Sequence, residues 1–206
     1  MARPASTDPL RNFKFQVSII PSGAGLRNHV GTEIGNLGFT VVSGLTVQNE
    51  MIAYREGGMN THPHKMVGQS DFGPVTFSKG MFGHEKSLWQ WQTFLHSWSQ
   101  GGQSGGSSSS DNDYRADIIV KVFDHPASSG TYATAGETSE ASTPAGDVKL
   151  AFKLYNAWPG SFALTDLNAG DSSIMIQQLV LNHEGFDIAF ADGAESAVPQ
   201  SALSIG

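Results

Sequence analysis

The sequence predicts a mainly β domain, an antiparallel β-sandwich or barrel with one flanking α-helix. About six or seven segments alternate apolar and polar residues, which is the pattern of half-buried strands. Only one segment, residues 85–99, has the spacing of an amphipathic helix. The strands do not alternate with helices, so the sheet is expected to be antiparallel. A length of 206 residues fits a single domain spanning residues 1–206.

The first strand is the clearest, because Phe13, Phe15, Val17 and Ile19 alternate with polar residues and share one face. The other predicted strands cover residues 38–47, 74–80, 114–124, 148–154 and 173–183. Gly44 indicates a bulge or bend in the second strand. The last strand carries apolar side chains on both faces, which predicts partial cover on both sides.

Three other segments interrupt the strands. Residues 48–72 have no clear period, and we interpret them as a long excursion between strands, which in a compact domain is usually functional or disordered. Residues 100–113 and 125–147 are rich in small and polar residues, which predicts two surface insertions. The chain after about residue 193 is predicted to be a flexible tail.

The predicted helix carries one apolar stripe. Its members at i, i+3, i+7 and i+10 are Leu88, Trp91, Leu95 and Trp98, and Phe94 widens the stripe. This spacing predicts that the stripe packs on the core. Two glycines at 101 and 102 suit the end of the helix.

Composition excludes several classes of protein. The chain has 12 Lys and Arg against 19 Asp and Glu, a formal charge of −7, so it cannot neutralise many phosphates as a nucleic-acid-binding domain does. No apolar run approaches the length of a membrane span, and the N-terminus has no apolar signal region. The absence of cysteine excludes disulfides, thiolate metal sites and a cysteine nucleophile, and it suits a reducing cytoplasm.

Candidate catalytic and metal-binding motifs are weak. His62 and His64 flank a proline and are expected to point to opposite sides, and no third ligand follows at a regular spacing. His183-Glu184 lacks the second histidine of a zinc motif, and the glycine-rich turns lack the ending of a phosphate loop. We therefore predict no catalytic, cofactor-binding or metal-binding residue, and no enzyme. The alternative of a soluble β-sandwich enzyme or binding module would need exposed aromatic residues in a cleft.

An ordered set of segments resembles the tail tube proteins of tailed bacteriophages and contractile injection systems. The resemblance runs from about residue 8 to residue 188. Its segments are Asp8–Phe15, Gly38–Leu45, Tyr54–Gly58, Lys65–Gln69, Val75–Gly80, Leu88–Trp91, Lys153–Pro159, Asp166–Ala169 and Leu179–Gly185. Residues 100–113 and 125–147 depart from the compact family pattern, and residues 20–37 are expanded.

The resemblance implies a structural virion protein without cofactors. Six copies would close into a ring with one continuous inner β-barrel, and stacked rings would form the tail tube that conducts the viral genome. The family's extended loop implies inter-ring or inter-subunit contacts for Tyr54, Arg55, Glu56, Gly57 and Gly58. Sheath, baseplate and tail terminator proteins would be partners, and the protein would be made in the cytoplasm of a bacterial host.

The expected lumen is acidic or neutral, because a tube that passes DNA without binding it must not attract phosphate. The alternative within the same class is the inner tube of a bacterial contractile injection system that carries protein cargo. Flexible insertions favour a tube without a sheath, whereas the resemblance is strongest to contractile systems.

Overall fold

A computed structural model describes residues 9–31, 34–58, 61–101, 113–123, 148–170, 172–191 and 198–199. These residues form ten strands and two helices. The strands are β1 Phe15–Pro21, β2 Ile34–Leu37, β3 Phe39–Ser43, β4 Val47–Tyr54, β5 His64–Phe72, β6 Val75–Gly80, β7 Ala116–Phe123, β8 Val148–Leu164, β9 Ile176–Asn182 and β10 Gly185–Phe190. The helices are α1 Ala24–Val30 and α2 Ser87–Ser99. The prediction of a mainly β, antiparallel fold is confirmed.

Two antiparallel sheets share the long strand β8. A five-strand sheet has the order β2-β1-β7-β8-β10 and uses residues 148–157 of β8. A four-strand sheet has the order β8-β9-β6-β3 and uses residues 158–164 of β8. A strand that changes sheets is the usual way to form the corner of a sandwich or barrel.

The hydrophobic core lies between the inner faces of the two sheets. In the five-strand sheet, Val17 on β1 pairs with Val120 on β7, and both side chains are buried. In the four-strand sheet, Phe77 on β6 pairs with Leu179 on β9, and both are again buried. The alternation of buried and open positions along each strand is therefore what places these residues on the core face.

Helix α2 packs on this core as the sequence predicts. Leu88, Trp91 and Phe94 are buried, and the indole Nε1 of Trp91 donates a hydrogen bond to the Tyr114 carbonyl at 2.8 Å. The helix begins two residues later than predicted, and Gly101, at φ +76°, follows its end. That conformation suits glycine after a helix.

Helix α1 was not predicted from the sequence. It has only seven residues, includes a glycine and lacks a helical apolar stripe. Tertiary contacts hold it, because Leu26 is buried and the Arg27 Nε donates to the Pro21 carbonyl at 2.8 Å. The rings of His29 and Phe94 also meet, 5.2 Å apart, so α1 rests on α2.

The largest difference from the prediction lies within residues 48–72, where the described residues include two paired strands in place of an irregular excursion. β4 and β5 make a separate two-stranded sheet, which we call the arm, residues 47–72. The arm continues the β3–β6 pair beyond a break at residues 44–46 and 73–74. Gly44 has φ +96°, and a Cβ there would lie 2.4 Å from the Pro74 carbonyl oxygen, so this break requires glycine.

Other strands also differ from their predicted bounds. β1 begins at residue 15, so Phe13 lies before it and is exposed. β8 runs ten residues beyond its predicted end, and β2 and β10 were not predicted. β9 begins at residue 176 and only one of its faces is buried within the chain, because Ile174 and Ile176 are exposed.

Most of the two predicted insertions lies outside the described residues, and so does the predicted tail except for residues 198–199. Val198 is buried and its backbone N–H donates to the Val148 carbonyl oxygen at 2.7 Å, so this part of the predicted tail is held against β8. Among the described residues, no helix is long and apolar enough to cross a membrane.

Candidate assembly surfaces

The four-strand sheet has two margins at which no further strand of the described chain is paired. β3 pairs with β6, and residues 158–164 of β8 pair with β9. Because neighbouring strands alternate in direction and the sheet has four of them, its two marginal strands run in opposite directions. Margins of this kind present backbone donors and acceptors that can pair with another chain. A second copy placed edge to edge would continue the antiparallel order.

The arm exposes apolar side chains on both of its faces. On one face Met51 pairs with Val67, and on the other Ile52 pairs with Met66, one residue pair further along. Every residue of β4 is exposed, and Val67 is 80% exposed. A two-stranded hairpin is marginally stable in water, and exposed apolar patches mark interaction sites. The arm therefore has the composition of a segment covered on both sides by other chains.

The base of the arm is fixed to the rest of the molecule by aromatic contacts. The ring of Phe72 lies 5.9 Å from that of His183 and 5.7 Å from that of Phe186. A ring nitrogen of His183 lies 3.1 Å from the Gly73 carbonyl oxygen, within hydrogen-bond distance. His183 therefore has a structural role where the sequence suggested only a fragment of a zinc motif.

A polar cluster holds the corner at which β8 leaves one sheet for the other. Asn156 has φ +51°, and its backbone N–H donates to Asp117 Oδ1 at 2.9 Å. Its side-chain Nδ2 donates to Glu184 Oε2 at 2.6 Å, and the other oxygen of Glu184 lies 3.5 Å from Arg115 Nη1. Asparagine tolerates the left-handed region better than most residues, so the corner depends on its identity.

Beside this corner, the Tyr155 hydroxyl donates a hydrogen bond to Asp187 Oδ2 at 2.8 Å. This bond raises the pKa of Tyr155 above its ordinary value. The bond links β8 to β10 next to the bend, so two strands of the five-strand sheet are tied together where the sheet changes direction.

A buried ion pair lies at the end of the four-strand sheet near α2. Lys79 is on the core face of β6 with an exposed fraction of 1%, and its Nζ forms an ion pair with Glu85 Oε2. The Lys79 Nζ also lies 5.7 Å from the centre of the Phe82 ring. The sequence pattern missed this pair, although Lys79 follows Val75 and Phe77 at the same period of two.

An apolar groove opens between the two sheets. It has a volume of about 460 Å³, and Phe15, Val42, Leu45, Val122 and Phe152 contribute to its walls. Val41, which is exposed, also lines this groove, and Phe13, Ile188 and Phe190 are exposed apolar residues elsewhere on the same chain. Apolar surface is therefore exposed outside the arm as well.

The predicted contact residues lie at the far end of the arm. Tyr54 ends β4, residues 54–58 are all exposed, and Gly57 and Gly58 form a turn in which Gly58 has φ +95°. The described residues contain two ion pairs, and neither includes Arg55 or Glu56. These two charged side chains are exposed next to the turn at the end of β4.

The residues of the predicted apolar stripe on α2 differ in burial along the helix. Leu88 and Trp91 are buried and Leu95 is half-buried, whereas Trp98 is 45% exposed and its ring packs tilted against that of Tyr114, with the ring centres 4.4 Å apart. The stripe thus leaves the core at its C-terminal end.

The histidines weighed as metal ligands do not gather other ligands. The rings of His62 and His64 lie 6.2 Å apart, so the expectation that they point to opposite sides is wrong. Residues two apart on an extended chain share a face. Among the described residues, no three His, Asp or Glu side chains are placed to hold a metal ion together.

Comparison with known proteins gives one family and several structures of the same fold. The family model for the T4-like virus tail tube protein gp19 matches residues 11–187. A chain of the anti-feeding prophage (AFP) baseplate is similar at 18% identity and TM-score 0.61, over 88% of this chain and 96% of that one. A chain of the sheath-tube complex of an extracellular contractile injection system (PVC) in the extended state is similar at 21% identity and TM-score 0.58, over 91% and 95%.

A third structure, the tube-terminating cap of the anti-feeding prophage, is similar at 22% identity and TM-score 0.56, over 90% of this chain and 93% of that one. At these identities the three structures establish the fold. No curated protein sequence matches the chain significantly.

Proposed function

This chain belongs to the T4-like virus tail tube protein gp19 family, and on that premise we propose that six copies close into a ring and that stacked rings form a hollow tail tube. The role of the family is structural, and the chain is a tube protein. Six is the number that the family resemblance implies. The tube would conduct the genome of a tailed virus during delivery, with DNA passing through the lumen without specific binding.

The observation that carries the proposal is the pair of open margins on the four-strand sheet. Joining β3 of one copy to residues 158–164 of the next would pair both margins and continue the antiparallel order. The same joint repeated in one rotational sense is a head-to-tail interface, which closes into a ring when the rotation permits. No strand of the four-strand sheet would then be left at an edge.

The resulting barrel would be open. Six copies of a four-strand sheet give about 24 strands, and strands spaced by about 4.8 Å give a circumference of about 115 Å. The backbone radius is then roughly 18 Å, or more if the strands tilt. Side chains fill a barrel of about eight strands, whereas barrels of about sixteen or more leave an aqueous channel.

The arm would supply the contacts between copies that the sheet margins do not. Apolar pairs on both of its faces, Met51 with Val67 and Ile52 with Met66, suit a strand pair covered on each side by a different neighbour. Tyr54, Arg55, Glu56, Gly57 and Gly58 would lie in these inter-subunit or inter-ring contacts, where the two charged side chains can form ion pairs with other copies.

Disulfide trapping between neighbouring copies tests the ring. The chain has no native cysteine, so every disulfide that forms comes from the introduced residues. Val41 lies on β3 and Ala163 on the opposite margin, both on the face away from the core. A chain carrying V41C and A163C should give a ladder of oxidised oligomers on a denaturing gel, ending at six chains, if the two margins meet. V41C with S161C samples the alternative register, because bridged Cα atoms must lie within about 7 Å.

The matched control combines V41C with Q178C. Gln178 is on the same face but on the central strand β9, one strand further from the joint, so this pair should not form a ladder. A ladder that extends beyond six chains would indicate an open helical arrangement and overturn the closed ring. Oxidised monomers and dimers alone, from both registers, would overturn the edge-to-edge joint.

The fold similarity to tube and cap chains of contractile injection systems favours a second candidate, an inner tube that carries protein cargo. In either case we propose a sheath, a baseplate and a terminator as partners, because the similar chains come from complexes of those kinds. Neighbouring genes distinguish the candidates, since capsid and terminase genes indicate a virus.

A further inference from the structure

We propose that Trp89 of each copy inserts into the apolar groove of the neighbouring copy and anchors the joint between them. This inference rests on the proposed function, because it applies only if β3 of one copy joins residues 158–164 of the next. It gives one role to two features of the single chain, an exposed tryptophan at one margin of the four-strand sheet and an open groove at the other.

Trp89 lies at the β8 margin, on the core side of the four-strand sheet. Phe162 on β8 pairs with Leu179, which is buried, so the Phe162 side chain points to the core side. The centre of the Trp89 ring lies 5.6 Å from that of Phe162, and yet Trp89 is 55% exposed. Leu164, two residues further along the same side of β8, is also exposed. This margin therefore presents an aromatic and an aliphatic side chain to solvent on its core side.

The groove lies at the opposite margin, and it too is on the core side. Val42 on β3 pairs with Phe77, which is buried, so Val42 points to the core side, where it lines the groove. Val122 and Phe152 line it from the five-strand sheet. Because a cavity of about 150 Å³ takes up a benzene ring, the groove, at about 460 Å³, has room for an indole.

Joining the two margins brings the tryptophan and the groove together, because a continuous sheet keeps its core side in common. In the two registers that the cysteine pairs sample, antiparallel pairing places Phe162 of one copy opposite Val42 or Thr40 of the next. Both of these residues line the groove, and the Cβ atoms of directly opposite residues lie about 5 Å apart. Trp89, which packs against Phe162, therefore faces the mouth of the groove in either register.

The polar groups around the groove suit an indole. A buried tryptophan N–H usually finds an acceptor, and the side chains of Asn12 and Thr40, which both line the groove, carry acceptor oxygens. Arg11 is the charged residue among the described residues that line the groove, and tryptophan is the ring that a guanidinium binds best. Tryptophan is also among the residues that most often dominate the energy of an interface.

Substitution of Trp89 tests the anchor. W89A should raise the protein concentration needed for rings and tubes at least about thirtyfold, which is the effect of removing an anchor residue from an interface. The matched control is W98A, because Trp98 is 45% exposed and lies about 13 Å further along the axis of α2. W98A should assemble at the same concentration as the parent chain. Sedimentation over a series of concentrations measures both, and denaturant unfolding of dispersed subunits checks that both fold.

Filling the groove gives the second half of the test. L45F/V122F places two aromatic rings in the groove walls, so the indole of a neighbour no longer has room. This variant should need a higher concentration for assembly, as W89A does. Adding W89A to it should change that concentration by no more than about threefold, since both sets of substitutions remove the same contact. Effects that multiply in the combined variant would overturn the insertion.

A thiol in the groove shows what fills it. V122C places one thiol there in a chain that has no other cysteine. A small maleimide should react rapidly with dispersed V122C subunits and at least about tenfold more slowly with rings, because anchored contacts exclude water. Slow reaction in dispersed subunits would show that the chain's own residues fill the groove, and equal rates in both states would show that it stays open. Either result overturns the proposal.

Failure of the proposed function is distinguishable from failure of this inference. The oxidised ladder from V41C with A163C or S161C reports the joint of the margins without reference to Trp89. If a ladder ends at six chains while W89A assembles as readily as the parent chain, the ring stands and the anchor is rejected. Equal losses in W89A and W98A would also reject it. If neither cysteine pair gives a ladder, the ring fails and this inference fails with it.

Discussion

At the residue scale, the corner of β8 depends on a single side chain. Asn156 holds a positive φ, and its side chain binds Glu184, so its conformation and its hydrogen bond both join the two sheets. In the sequence, this residue stands out only as a member of the segment Lys153–Pro159, one of the segments that resemble the tail tube family. Its left-handed backbone could not be predicted, because nothing in the alternation of β8 marks where a strand changes sheets.

Substitutions at Asn156 should separate the contribution of its backbone conformation from that of its side-chain hydrogen bond. N156G keeps the positive φ without strain and loses the hydrogen bond, which we expect to cost about 1 kcal/mol in the free energy of unfolding. N156A also forces a Cβ into the left-handed region, so we expect a total cost of about 2–3 kcal/mol. Denaturant unfolding of dispersed subunits measures both. Equal costs for the two variants would show that backbone strain is not part of this corner.

The ion pair between Lys79 and Glu85 is a second feature that depends on the identity of particular residues and not on the alternation of apolar and polar positions. Lys79 continues the core-facing series of β6, so a period-two pattern with a lysine at its end concealed a buried cation. Glu85 lies just before α2, and the sequence assigned it to the helix. The two residues are only six apart, and the loop between β6 and α2, in which the Glu85 N–H donates to the Phe82 carbonyl oxygen at 3.2 Å, brings the two charges together. Nothing in the residue pattern specifies the path of that loop.

We expect E85Q to destabilise dispersed subunits by about 3 kcal/mol, because it leaves the Lys79 ammonium buried without its counter-charge. The double variant K79M/E85Q should recover most of that loss, since replacing both members of a buried pair by groups of similar volume is often neutral. Thermal or denaturant unfolding of the two variants forms the comparison. Additive losses in the double variant would contradict an ion pair that is coupled in the folded state.

At the scale of elements, the sequence predicted the long helix and the strands with strong alternation. It did not predict the elements whose formation depends on tertiary contacts. β6, β7 and α2 were found within about two residues at most of their ends, because their periods are regular. α1 was missed, since a seven-residue helix with a glycine gains its stability from α2 and from Leu26. The sequence of the arm shows no clear period, because apolar residues on both faces obscure the alternation of a strand pair.

The arm gives the sharpest element-scale prediction. V67D places a carboxylate on a side chain that is 80% exposed, so the unfolding free energy of the single chain should change by no more than about 0.5 kcal/mol. Assembly should be lost, because the charge would be buried without a partner when a neighbour covers the arm. Negative-stain micrographs and sedimentation measure the tubes.

The control for this variant is Q69D. Gln69 is also exposed on β5, but it is polar, so an added carboxylate there does not interrupt the apolar pairs. Tubes formed normally by V67D would remove the arm from the contacts between copies. Loss of tubes in Q69D as well would indicate a general effect of charge on the arm.

At the scale of the whole molecule, the fold class and the family were accessible from the sequence, whereas the assembly surfaces were not. Segments such as Tyr54–Gly58 and Leu179–Gly185, in their order, gave the tail tube family, and the family model confirms it over residues 11–187. The margins of the four-strand sheet could not be predicted, because strand order depends on which segments pair across long distances in the chain.

The arm is continuous with two strands of the four-strand sheet. β3 runs into β4, and β5 runs into β6, through the short break at Gly44 and Pro74. A pull on the arm along its length would therefore travel through covalent backbone into β3 and β6 themselves. There it would act parallel to the strands, so that many hydrogen bonds would have to yield in shear at once instead of unzipping one by one. Copies joined through their arms would therefore be anchored to their own sheets by strands that are loaded in shear.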